Sequence, residues 1–97
     1  MWSPAQARAV GQRVALARKG AGLTQTALVR GLQRAGHPTS QASLSYLERG
    51  MAAEAVYSSV GLLTAIAHVT GADPAWLISG VGHQGSDALV AATHAGA

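Results

Sequence analysis

Each stretch of this chain whose apolar residues recur three and four apart is followed by a glycine, and most open on a capping residue. This punctuation constrains the fold more than any other feature. An apolar stripe at that spacing requires a helix, and a Ser, Thr or Asp start with a glycine stop keeps each helix short. Ser3-Pro4 supplies a cap followed by proline at the first helical position, and residues 5–19 carry Val10, Val14 and Ala17 on one face with Leu16 beside them, up to Gly20 and Gly22. A second helix opens at Leu23-Thr24-Gln25 with Thr24 as cap, places Leu28 and Leu32 one turn apart and ends at Gly36, where His37-Pro38 prevents continuation. Thr39 or Ser40 caps a third, residues 41–49, with Leu44 and Leu47 inward and Gly50 behind it.

Residues 51–55 are ambiguous. The pattern then predicts a fourth helix over 55–70, with Val56, Val60, Leu63 and Ala67 on one stripe, Leu62, Ile66 and Val69 widening it, His68 partly buried, and Gly71 as its stop. Asp73-Pro74 repeats the cap-plus-proline signal for a fifth helix, 75–79, closed by Gly80. No β-type alternation occurs anywhere. The expected class is therefore all-α: a compact five-helix domain over residues 1–80. In the tail, 81–97, Ser86-Asp87 either caps a short sixth helix through Leu89 and Val90 or the segment frays.

Hydrophobic content of 48% excludes a fully disordered chain, yet there is no Phe and the large aliphatic set is ten Leu, eight Val and two Ile. A core this thin is marginal in a small domain, so oligomerisation is expected. Without cysteine there is no disulfide framework and no Cys-based zinc site, and a reducing compartment is expected. The Met-Trp-Ser-Pro opening lacks a basic segment followed by an apolar stretch, so no signal peptide is expected. No apolar run approaches the roughly 18 residues of a membrane span.

Charge is divided along the chain. All seven cations (Arg8, Arg13, Arg18, Lys19, Arg30, Arg34, Arg49) lie in residues 1–49 with a single acid, Glu48, a net of +6. Residues 50–97 hold Glu54, Asp73 and Asp87 and no cation, a net of −3. One half is suited to a polyanion and the other is not.

The third helix divides in the way a DNA-reading helix must. Its apolar residues face the domain, and short polar residues occupy the other face. Gln41 can bond both N6 and N7 of adenine, and Ala42 can meet a thymine methyl. Tyr46 either reaches bases or packs its ring on the domain edge. The segment Leu23-Thr24-Gln25, then Leu28 and Leu32, then Gln41-Ala42-Ser43-Leu44-Ser45-Tyr46-Leu47-Glu48-Arg49-Gly50 resembles the helix-turn-helix of the Xre/Cro family, which includes the lambdoid phage repressors. Arg13-Val14 and Arg18 precede it at the family's usual spacing, and Asp73-Pro74-Ala75-Trp76-Leu77-Ile78-Ser79-Gly80 looks like its closing helix, so the resemblance covers about residues 6–80.

The resemblance implies a lambda-repressor-like fold. It also implies base contacts from Gln41, Ala42 and Tyr46 with Ser43 or Ser45 nearby, and a phosphate held at Gln25, where a helix N-terminus and an amide side chain converge. Arg13 and Arg49 are further phosphate candidates. It implies a structural, partly buried ion pair between Glu48 and Arg18, which would keep the one acid of the basic half from repelling DNA. The sequence departs from the family between Leu32 and Gln41, nine positions where the usual turn takes four. The second helix is expected to run about one turn longer, with a loop containing Pro38 and with Arg34 or His37 reaching a phosphate or groove edge.

Family members bind near-palindromic operators as two-fold dimers. Here the apolar residues Trp76, Ile78, Val81, Leu89 and Val90 of the acidic half are the expected dimer contact. The implied function is a sequence-specific transcriptional regulator, a small phage, prophage or bacterial repressor, cytoplasmic and nucleoid-associated. Its partners would be an operator duplex and a second copy. The alternative is an antitoxin or antirepressor-like protein acting through protein contacts, with a toxin or antirepressor as partner. Lys19 is the sole lysine and 17 residues follow Gly80, so no self-cleaving Ser/Lys domain is expected.

Other patterns carry little. Gly80-Val81-Gly82-His83-Gln84-Gly85 matches G-x-G-x-x-G as a string, but the dinucleotide fingerprint needs a strand before it and a helix after it. His37, His68, His83 and His94 lack metal-ligand spacing, so no metal and no cofactor are expected. His83, Ser86 and Asp87 have no scaffold to position them as a catalytic group, and no enzymatic activity is expected.

Overall fold

The computed structural model describes residues 3–84, which form six α-helices: α1 Pro4–Gly20, α2 Gln25–Arg34, α3 Gln41–Glu48, α4 Glu54–Tyr57, α5 Val60–Thr70 and α6 Pro74–Ser79. No strand occurs among the described residues. The expected tail helix, with Leu89 and Val90, lies outside them.

Local chemistry sets most boundaries. Ser3 and Gln6 form a reciprocal capping box at the start of α1, and the hydroxyls of Thr24, Ser40 and Ser59 accept the free backbone N–H groups of Ala27, Ser43 and Leu62. Asp73 does the same for Ala75 N, with Pro74 at the first helical position. α5 and α6 end on Gly71 and Gly80, both left-handed, a conformation that a Cβ would oppose.

The expected single helix over 55–70 is two helices. Ser58 turns its hydroxyl back to the Glu54 carbonyl, and Ser59 adopts an extended backbone and caps α5. Two successive serines offer the backbone local partners that compete with helix continuation. The break resets the helical phase: Val60, expected inside, is 64% exposed, and Tyr57 is buried in its place. His68 is exposed rather than partly buried, because it shares the outer face of α5 with Gly61 and Thr64.

The core is continuous. Val10, Val14 and Ala17 of α1 meet Leu28 and Leu32 of α2, Leu44 and Leu47 of α3, Leu63 and Ile66 of α5, and Leu77 of α6. Two glycines let helices approach closely. A Cβ on Gly11 would overlap the Leu47 carbonyl oxygen and lie 2.8 Å from that of Glu48, so α1 and α3 touch backbone to backbone. A Cβ on Gly31 would meet Val69 Cγ1 at 2.6 Å, which sets the contact of α2 with α5. Leu16, at the edge of the α1 stripe, is 51% exposed.

Candidate nucleic-acid interface

α3 is held from behind and bare in front. Leu44 and Leu47 are buried, Gly11 admits the helix against α1, and Ser40 caps its N-terminus by accepting from Ser43 N at 3.0 Å. Gln41, Ala42, Ser43 and Tyr46 are exposed, and Ser45 is half-buried. The exposed face of α3 is free of acid. Thr26 on α2 places its hydroxyl 3.5 Å from Gln41 Oε1, so the beginnings of α2 and α3 lie side by side.

The acid of α3 points the other way. Glu48 accepts two bonds from Arg18, Nε to Oε2 at 2.6 Å and Nη2 to Oε1 at 3.0 Å, and a third from Gln25 Nε2 at 3.2 Å. Arg18 also donates from Nη1 to the Leu23 carbonyl at 2.9 Å. The side chains of Arg18 and Glu48 are 12% and 7% exposed. Glu48's hydrogen bonding and charge raise the Arg18 pKa above its ordinary value, against the opposing effect of burial. This cluster ties α1, the start of α2 and the end of α3 together.

The remaining candidates divide by what already holds them. Gln25 is half-buried and directs its amide N–H to Glu48. Arg13 donates from Nε to the Leu77 carbonyl at 2.9 Å and from Nη2 to that of Ile78 at 3.1 Å, capping the end of α6, and burial lowers its pKa. Arg49 is exposed, with its guanidinium 4.9 Å over the Tyr46 ring and Nε 3.3 Å from the Ser45 carbonyl.

In the segment between α2 and α3, α2 continues two residues past Leu32 to Arg34, Gly36 takes φ +84°, and His37 N donates to the Leu32 carbonyl at 2.8 Å. The loop returns to Ser40 past Pro38. Arg34 is exposed. His37 is half-buried with its ring against α5 at Gly61.

Of the apolar residues expected at a dimer contact, Trp76 and Ile78 are half-buried against the domain's own core, and Val81 is 69% exposed. Asp73 N donates to Gln84 O, and Gln84 Nε2 donates to Leu16 O at 2.9 Å, drawing residues 81–84 back along α1.

One positioning residue has no signal in the periodicity. Tyr57 is fully buried, and its hydroxyl donates to the Leu47 carbonyl at 3.1 Å while accepting from Ala52 N at 3.1 Å. It secures the last turn of α3 and the irregular stretch after it. A tyrosine beside the turn residues Ser58-Ser59 was the available clue, since a buried phenol needs a partner for its hydroxyl.

No group of three or more His, Cys, Asp or Glu among the described residues could hold a metal, and no described helix is long and apolar enough to cross a membrane. No family model, curated protein or solved structure matches the chain.

Proposed function

We propose that the chain is a sequence-specific double-stranded DNA-binding regulator that places α3 in the major groove, as the resemblance to the Xre/Cro helix-turn-helix implies. The observation that carries this reading is the disposition of α3. Its outer face offers Gln41, Ala42 and Tyr46, while its one carboxylate is turned inward and bonded by Arg18 and Gln25. An ordinary surface helix has no need to withdraw its acid; a helix that approaches phosphates does.

Gln41 is assigned to adenine, Ala42 to a thymine methyl, and Ser43, Ser45 and Tyr46 to neighbouring base edges. Arg34 and Arg49 are assigned to phosphates. The N-terminus of α2 at Gln25 offers a further phosphate site through its backbone N–H groups. Arg13 and His37 take a lesser part, because one caps α6 and the other packs on α5. The protein acts as a homodimer on a near-palindromic operator, as a nucleoid-associated repressor.

The test is binding-site selection from random duplexes, followed by a salt-titrated gel shift on the selected site. A recovered two-fold motif bound with a steep negative salt slope supports the reading. Recovery of no motif, with weak retention at low salt only, overturns it and favours action through protein contacts.

A further inference from the structure

Behind the recognition face lies a groove of about 430 Å³ between α3, α4 and α5. Leu44 and Leu47 of α3, Val56 of α4, and Leu62 and Ile66 of α5 form its walls, and Met51 and Tyr46 stand at its edge, 63% and 48% exposed. None of its lining residues is charged. Its polar side chains besides Tyr46 are Thr39 and Ser43, which face it from the loop before α3 and the first turn of α3. Ser43 Oγ already accepts from Ser40 Oγ at 2.9 Å, which leaves its own O–H free to donate.

We infer that this groove binds an uncharged, largely apolar small molecule with one hydrogen-bonding end, which Thr39 and Ser43 hold. The volume falls in the range of small-molecule sites, about 300–1,000 Å³, and such sites combine apolar walls with a few placed polar groups. The lining offers no counter-charge within its walls, which favours an uncharged ligand over an ionic one that would lose its hydration there. Thr39 and Ser43 stand at the start of α3, whereas Val56, Leu62 and Ile66 come from α4 and α5, so a molecule with one polar end has one preferred orientation.

The site has a consequence for control, which rests on the DNA-binding reading above. Ser43 and Tyr46 belong both to the groove and to the proposed base-reading face. They cannot serve a ligand and a base edge at once, so occupancy opposes DNA binding, and DNA opposes ligand binding by the same factor.

The experiment titrates the full chain, without DNA, with the neutral fluorophore N-phenyl-1-naphthylamine, and repeats it with Ala53→Trp, which fills the groove from an exposed position. The expected result is saturable one-to-one binding, weakened at least about tenfold by Ala53→Trp at unchanged melting temperature. Thr39→Val, nearly isosteric, should weaken binding severalfold and supplies the comparison if Ala53→Trp misfolds. Absence of saturable binding, or equal binding in these variants, overturns the proposal. So does loss of the signal with rising protein concentration alongside dimer sedimentation, which would give the groove to a second copy. In a parallel gel shift on the selected operator, unchanged affinity at saturating fluorophore overturns the coupling. A chain that binds fluorophore but no DNA retains the site and refutes the functional reading instead.

Discussion

Arg18→Ala removes the cation from a carboxylate that is 7% exposed. In the intact protein Glu48 accepts two bonds from Arg18 and one from Gln25; in the variant only the Gln25 bond, at 3.2 Å, remains. The Leu23 carbonyl loses its guanidinium donor as well. Breaking one partner of a buried pair costs about 3–5 kcal/mol, because the other charge is left buried and uncompensated. For a domain of this size, each 1 kcal/mol lowers the melting temperature by about 4–8 °C, so a fall of at least about 12 °C is expected. Arg30 is an exposed cation on α2, and Arg30→Ala should stay within about 0.5 kcal/mol of wild type.

The assay is thermal unfolding followed by circular dichroism for wild type, both single variants and Arg18→Met/Glu48→Leu. The double variant, with no buried charge left, should recover most of the loss. Glu48 raises the Arg18 pKa, so the pair's contribution is fully present below the unfolded arginine value and is lost only as pH rises through the still higher folded value. The gap between wild type and Arg18→Ala should therefore persist from about pH 7 to about pH 10. Equal melting temperatures for Arg18→Ala and Arg30→Ala would refute the reasoning.

Gly11→Ala should destabilise by about 1–3 kcal/mol in urea unfolding, because its methyl group meets the Leu47 and Glu48 carbonyls. Tyr57→Phe leaves the Leu47 carbonyl and Ala52 N–H without the phenol and should cost about 1–3 kcal/mol in the same assay. If α3 reads DNA as proposed, Gln41→Ala should leave the melting temperature unchanged and cost about 1–3 kcal/mol in affinity for the selected site, with relaxed selection at the base it reads. Arg34→Ala should weaken specific and random DNA alike and reduce the salt slope by about one per contact removed; an unchanged slope removes Arg34 from the interface.

The helix boundaries were legible where the determinants are local. The Ser3-Pro4 and Asp73-Pro74 starts and the Gly71 and Gly80 stops act within one turn of chain, so reading along the sequence finds them, whereas at α3 it offers Thr39 or Ser40 and the fold takes Ser40. The break at Ser58-Ser59 was written in the same cap chemistry, but an unbroken apolar spacing overlay it and carried the expected helix straight through. Reading the residues themselves showed the site as a division of α3 into an apolar and a polar face, and the Arg18–Glu48 pair came from the family resemblance alone. What holds that helix, Tyr57 on the Leu47 carbonyl and Arg18 on Glu48, joins residues ten and thirty positions apart, and no periodicity encodes such pairs.

By itself, then, the chain determined that it folds as short capped helices with its cations gathered in residues 1–49, because caps, stops and charge counts need no partner at a distance. Which charges remain outside depends on how the helices pack. Arg13 and Arg18 count in the same +6 as Arg34 and Arg49, yet packing turns Arg13 to the end of α6 and Arg18 to Glu48. A buried polar group must find a partner, and which one it finds depends on the helices that close over it. That closure leaves the outer face of α3 without an acid and opens the groove behind it, two features that exist only once α1, α4 and α5 are packed.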